Sequence, residues 1–345
     1  MNGAGRLRPR RSAPTTSAPT AADVEAAASD RPLLIAVVGP TAAGKTELAI
    51  AIATELGGEI ISADSRQIYR GMDVGTAKAT PAQQAAVPHY LLDVVNPDQV
   101  ITLAEYQRLA FACIADVQAR GRVPFLVGGT GQYVQAVTEG WVIPAVAPDA
   151  NLRAGLEAEA RTSGSQALHD RLGALDPLAA ARINHRNLRR VIRALEVCLT
   201  TGHPISELQA RRSPPFRPCW LGVTRPRAEL YARIDARVDR MMAEGLVEEV
   251  RCLMDAGYGL HLPAMSGLGY RQIGEYLGGD ISLDEAVRRI KKQTRRFVQQ
   301  QYNWFRLDDP RVHWVDPGRA PFTLILALVR EWLAPADCAP GAIAG

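Results

Sequence analysis

Apolar residues in this chain fall into short continuous runs, separated by longer segments in which they recur every three or four positions. The runs are Leu33 to Val38, Glu59 to Ala63, Val123 to Val127, Trp220 to Val223 and Val312 to Val315. Each has strand length and is too continuously apolar to keep a wet face, which predicts strands covered on both sides. The segments between them carry helical spacing, as in Leu48, Ala49, Ile52, Ala53 and Leu56. Buried strands alternating with amphipathic helices predict an α/β fold built on a doubly wound parallel sheet.

The alternation stops after Trp141. A proline-bearing stretch, Pro144 to Pro148, leads into mainly helical sequence that ends at Ser213-Pro214-Pro215. This predicts a helical insertion over 142–215 that divides the α/β core into 32–141 and 216–333. Residues 1–31 and 334–345 hold few large apolar side chains, too little burial to offset the entropy of ordering, so both tails are expected to be disordered. Arginines early in the first tail keep an organelle-targeting reading open beside it.

With 345 residues, 47% of them hydrophobic, the chain supports a large core and more than one structural unit. No apolar stretch approaches the ~18 residues that span a bilayer. No apolar segment follows the basic start, so a cytoplasmic protein without a membrane partner is expected. Cys113, Cys198, Cys219, Cys252 and Cys338 are scattered with no C-x-x-C pair, which argues against a disulfide framework or a zinc site. A net charge of +4 says little by itself. Its distribution says more, because 182–193 and 286–306 are both rich in Lys and Arg and free of acids.

The first chemistry appears at Gly39-Pro40-Thr41-Ala42-Ala43-Gly44-Lys45-Thr46, between the first strand and a helical run. Glycines at both ends let backbone N–H groups turn inward around a phosphate, Lys45 reaches a terminal phosphate, and Thr46 is placed to hold Mg²⁺. This P-loop is shared by ATP- and other nucleotide-binding proteins, so it does not choose the reaction. Asp64 follows the second strand, and Gly128-Gly129-Thr130-Gly131 follows the third. In an open parallel sheet both lie with the phosphate loop at the carboxyl edge, where ligands bind. Asp64 suits a general base, a Mg²⁺ ligand or a helix cap. Leu91-Leu92-Asp93 looks like the apolar-Asp element that holds Mg²⁺ in nucleotide hydrolases and keeps a kinase reading open.

Helical spacing sets Arg182, Arg186, Arg189, Arg190 and Arg193 opposite a stripe of Leu188, Ile192, Leu195 and Leu199. In the late basic helix, Val287, Ile290, Thr294, Phe297, Val298, Tyr302 and Phe305 form the stripe. Arg288, Arg289, Lys292, Arg295 and Arg296 turn away from it. Two acid-free cationic faces favour a nucleic-acid partner over two solvated surfaces.

Taken together, GPTAAGKT at 39–46, DSRQIY at 64–69, GTAK at 75–78, PHYLLD at 88–93, LVGGTGQY at 126–133, RALEV at 193–197 and GYRQ at 269–272 resemble the tRNA dimethylallyltransferases, also called tRNA isopentenylpyrophosphate transferases. The resemblance runs from about Leu33 to Asp316. It implies transfer of a dimethylallyl group from dimethylallyl diphosphate to N6 of adenosine 37 in the tRNA anticodon loop, on a P-loop NTPase-like core. Diphosphate and Mg²⁺ would then occupy the loop. The residue matching Asp64 would be the general base, that matching Thr130 would touch the reacting region, and that matching Arg237 would contact diphosphate, with Arg233 a second candidate. Arg153, in Asp149-x-x-Leu152-Arg153, would contact tRNA. So would the segments Asp64, Ser65, Arg66 and Gln67, then Leu188, Arg189, Arg190, Val191 and Ile192, then Ser266, Gly269, Tyr270 and Arg271, and the late basic helix. There the chain departs from the family, reading Val298-Gln299-Gln300-Gln301-Tyr302-Asn303-Trp304 where two cations are usual. An adenylate isopentenyltransferase and a P-loop nucleoside or small-molecule kinase are the alternatives, and a monomer is expected.

Overall fold

The computed structural model describes residues 31–334. Apart from Arg31 and Ala334, both expected disordered tails lie outside the described residues. Six strands form one sheet: β1 (Leu33–Val38), β2 (Glu59–Ser62), β3 (His89–Tyr90), β4 (Pro124–Val127), β5 (Arg217–Val223) and β6 (Val312–Val315). All pairings are parallel, in the order β3-β2-β4-β1-β5-β6. The apolar runs sit at the centre because helices cover both sheet faces, and Leu34 to Val38, Phe125 and Leu126 have no exposed surface. The two-residue β3 is too short to show as a pattern. Its Tyr90 hydroxyl donates to Glu59 (2.8 Å), and Arg120 pairs with the same carboxylate.

Helices α1 (Lys45–Leu56), α2 (Pro81–Ala86), α3 (Leu103–Ala119) and α4 (Gly131–Thr138) belong to the first half of the core. Thr102 and Glu105 start α3 with a reciprocal capping box. After Trp141 come α5 (Ala150–Leu175), α6 (Pro177–Arg182), α7 (Leu188–Thr201) and α8 (Ile205–Leu208). They enclose a separate apolar core that includes Leu156, Leu168, Leu172, Val191 and Leu195. The chain enters and leaves this unit through a two-stranded neck. The Val142 N–H donates to Ala210 O and the Arg212 N–H to Gly140 O, each at 2.8 Å. Glu139 ties the neck to the core, accepting from the Trp141 indole (3.0 Å) and from Arg311 (3.1 Å).

The arginine-rich stretch is not one helix. Asn184 Oδ1 accepts the Arg186 N–H (2.9 Å) and the Asn187 side chain caps α7, so a turn separates Arg182 and Arg186 from Arg189 onward. Local asparagine bonds outcompete helical ones here. The core resumes with α9 (Arg227–Ala243), α10 (Leu246–Asp255), α11 (Tyr270–Leu277), α12 (Leu283–Trp304) and α13 (Phe322–Leu333). In α12 the stripe differs from expectation: Ile290 and Val298 are buried, but Phe297 is exposed and the polar Gln301 is buried instead. No helix among the described residues is long and apolar enough to cross a membrane.

Candidate active site

Four neighbouring strands, β2, β4, β1 and β5, end side by side, so Asp64, Gly128 to Thr130, the phosphate loop and Thr224-Arg225 share one edge. Gly39 adopts φ +132°, and a Cβ there would meet Val223 O at 2.1 Å, so the loop can leave β1 only as glycine. Gly44, at φ +102°, opens α1 and supplies no side-chain cap. The first N–H groups of α1 are therefore left for a ligand, and with the helix dipole they favour an anion.

Arginines clasp the loop from outside. Arg233 Nε donates to Ala42 O (2.8 Å), Arg225 Nε to Ala43 O (3.0 Å), and Arg237 to Thr41 Oγ1 (3.3 Å) and Thr76 O (3.3 Å). Lys45 Nζ donates to Pro40 O at 2.8 Å. Engaging these loop carbonyls holds the peptide groups with their N–H ends toward the cradle. Burial, and then the neighbouring Arg237, pushes the Lys45 ammonium down to about 8, with Asp64 and Glu47 acting in the opposite sense. Burial likewise lowers Arg237, again against Asp64 and Glu47. Among the described residues neither cation has an ion-pair partner. Two half-buried cations without ion-pair partners among the described residues, beside open N–H groups, suit an anion.

Asp64 lies across this site at the end of β2. One oxygen accepts the Arg66 N–H (2.8 Å), and no ion pair involves the carboxylate among the described residues. Thr130 Oγ1 accepts the Ser65 N–H at 3.0 Å, joining the turns after β2 and β4. Arg66 reaches Pro263 O (2.5 Å) and the Ser266 hydroxyl (3.3 Å), and Gln67 holds Thr76 O (3.3 Å). Beneath them Tyr106 and Tyr133 stack with ring centroids 3.7 Å apart, a rigid floor.

The Thr46 hydroxyl has no hydrogen-bond partner among the described residues, and no group of three His, Cys, Asp or Glu side chains there is set to hold a metal. A hydroxyl without a carboxylate cage suits Mg²⁺, which keeps waters and takes most ligands from a bound phosphate. Leu91-Leu92-Asp93 offers no free carboxylate for such an ion. Its Leu91 and Asp93 have positive φ, and Lys78 Nζ holds the Asp93 carboxylate at 2.6 Å.

The RNA-facing expectations divide. Arg189, Arg190, Arg271 and Ser266 are exposed, and Leu188 and Gly269 lie at the starts of α7 and α11. Val191 and Ile192 are buried in the insertion core, so their side chains are turned away from any partner. Tyr270 is also buried, its hydroxyl donating to Glu249 (2.6 Å), whose other oxygen accepts the N–H groups of Asp73 (2.9 Å) and Val74 (2.7 Å). Arg153 binds the fully buried Glu196 (2.7 and 2.8 Å), which Arg193 also reaches (2.6 Å). Burial alone would raise the Glu196 carboxyl, but the hydrogen bonds from both arginines outweigh it and hold it at about 2.

Pattern reading missed Glu196 and Glu249, and gave Gln301 no role in the site. Gln301 had a visible signal: a polar residue at helical spacing between Val298 and Phe305, where the stripe calls for an apolar one.

The family model described as IPP transferase matches residues 67–308. The tRNA dimethylallyltransferase of Chloroflexus aurantiacus is 57% identical over 273 residues, covering 79% of this chain and 92% of that protein. The chain belongs to the tRNA dimethylallyltransferase family. The family member from Herpetosiphon aurantiacus is 53% identical over 90% of this chain and 97% of its own length. Among solved structures, the full-length tRNA isopentenylpyrophosphate transferase of Bacillus halodurans superposes with a TM-score of 0.64 at 41% identity, over 87% of this chain and 96% of that one. A eukaryotic dimethylallyltransferase described as acting on tRNA shares the fold, with a TM-score of 0.69 at 22% identity, covering 89% of this chain and 77% of that one.

Proposed function

We propose that this protein transfers the dimethylallyl group of dimethylallyl diphosphate to N6 of adenosine 37 in tRNA, working as a monomer. One observation carries the reading: in a member of this family, two half-buried cations and one carboxylate, none of them in an ion pair among the described residues, face each other around the phosphate loop. The N6–carbon bond forms as the carbon–oxygen bond to diphosphate breaks. An exocyclic adenine amine is a weak nucleophile, and Asp64 takes its proton as the new bond grows. Lys45, Arg237 and the α1 N–H groups meet the charge that develops on departing diphosphate. Mg²⁺ held by Thr46 and the diphosphate would add Lewis-acid stabilisation of that leaving group. Thr130 fixes the Asp64 turn by accepting from Ser65. Adenosine 37 must swing out of its stack to reach this edge. Exposed Arg189, Arg190 and Arg271 supply phosphate contacts around it, while Arg153 and Arg193 order the insertion that carries the first two.

Incubation with dimethylallyl diphosphate and Mg²⁺ tests this, using an unmodified tRNA transcript in one arm and AMP in the other. The expected result is one dimethylallyl group per tRNA, lost when position 37 is guanosine. A product formed on AMP with bare tRNA untouched would favour an adenylate isopentenyltransferase instead.

A further inference from the structure

The last turn of α12 reaches across the sheet edge. Gln301 is 4% exposed and bonded at both ends of its amide. Its Oε1 accepts the Thr41 N–H at 2.8 Å, and its Nε2 donates to Gly129 O at 3.0 Å. The first partner lies in the phosphate loop after β1; the second lies in the turn after β4 that carries Thr130 and, through it, the Asp64 turn. The fit leaves no slack, since a Cβ on Gly129 would meet Gln301 Nε2 at 2.2 Å. Neighbouring residues extend the strap. The Tyr302 hydroxyl bonds Thr224 Oγ1 (2.7 Å) after β5, and the Trp304 ring covers Gly131, where a Cβ would meet it at 2.2 Å.

We propose that Gln301 is a positioning residue that sets the separation between the leaving-group site and the acceptor site. The inference rests on the proposed dimethylallyl transfer. Two substrates bound on different loops react only when their reacting atoms are held in near-attack geometry, and a displacement of about 1 Å can cost ~10²-fold in rate. A primary amide is suited to this bridge because it accepts at one end and donates at the other. Methionine matches its length but does neither, and asparagine is one methylene too short to reach both partners. Gln301 approaches neither the cations nor Asp64 by hydrogen bond, so its loss should leave each substrate bound and misalign the pair. A group activated for transfer without its acceptor in line is open to capture by water: the carbon–oxygen bond to diphosphate breaks, water supplies the new carbon–oxygen bond, and dimethylallyl alcohol and diphosphate result.

The test is single-turnover transfer by full-length Gln301→Met and Gln301→Asn, with Kd for tRNA, Kd for a non-transferable thiolo analogue of dimethylallyl diphosphate, and the alcohol-to-modified-tRNA ratio measured on the same preparations. A ~10²-fold slower transfer with both Kd values within about threefold of the parent, and a raised alcohol fraction, is expected. Transfer at the parent rate in either variant would overturn the proposal. So would a loss matched by weaker analogue binding, which would make Gln301 a diphosphate-binding residue, or failure of both variants to fold, which would assign it to the fold. If the parent protein itself transfers nothing to tRNA, the functional reading fails first and is recognised separately.

Discussion

The sheet edge and the helical insertion both gather basic side chains, yet they treat them oppositely. At the edge Lys45 and Arg237 are half-buried with no acid paired to them among the described residues, and desolvation lowers both below their ordinary values. In the insertion Arg153 and Arg193 converge on Glu196, a carboxylate with no exposed surface, and keep solvent on their outer sides. An unneutralised buried cation is costly to fold and is worth keeping where an anion arrives. A cation clamped on a buried acid orders its helix whether or not a ligand is present. In these two regions arginine count does not identify a binding face; a buried acid beneath the arginines marks the structural pair.

Asp64→Asn is the change with the largest expected effect. Asparagine keeps the shape and still accepts the Arg66 N–H but takes no full proton, so transfer should slow by ~10² to 10⁴ with tRNA affinity nearly unmoved. Single-turnover kinetics at saturating tRNA reads this, and a magnesium titration accompanies it. Recovery of the rate at high Mg²⁺ would turn Asp64 into a metal ligand.

Glu196→Gln probes the other side of the comparison. It leaves two guanidiniums around a neutral amide, and the insertion should lose about 2–4 kcal/mol, the lower figure because both arginines remain partly solvated. Hydrogen exchange of the α7 amides reports the loss. In the parent protein the same contribution is complete above the ordinary carboxyl value of 4.5 and disappears as pH falls toward about 2, because the folded carboxyl is held low. Protection in α7 that ignores acid down to pH 3 would break the contrast.

Arg189 and Arg190 are exposed and form no ion pair among the described residues. Replacing both with Gln should flatten the salt dependence of tRNA binding by about one to two units of slope, at −0.7 to −0.9 per phosphate contact. The slope should be almost unchanged by Arg153→Gln, whose cost appears as stability. Equal slopes across the two variants would erase the distinction.

The smallest effect belongs to Lys45. With its folded value near 8 and an ordinary value of 10.5, it sheds its proton in the folded protein first, so ligand-free stability rises with pH between the two. Diphosphate should restore the proton, giving uptake that approaches one proton per site near pH 9. Calorimetry in buffers of different ionisation enthalpy measures it, and binding without uptake would place the ammonium away from the diphosphate.

The α/β alternation, the phosphate loop, the Asp64 and Gly128 turns and the helical insertion were all legible in the linear pattern. Each depends on local rules: strand periodicity, glycine where φ is positive, a loop running straight into a helix. The two-residue β3 was not, since two residues display no period, and neither was the break before α7, because asparagine side-chain bonds compete with a helix whose periodicity looked unbroken. What the tertiary structure decided was partnership. Glu196 lies three residues from Arg193 but 43 from Arg153, and Gln301 meets Thr41 across 260 residues. The sequence by itself determined which groups stand at the sheet edge, since strand ends place them there. Only the fold decided which cations stay unpaired and which side chain spans the two loops, because pairing and burial are set by distances between segments that no local pattern encodes.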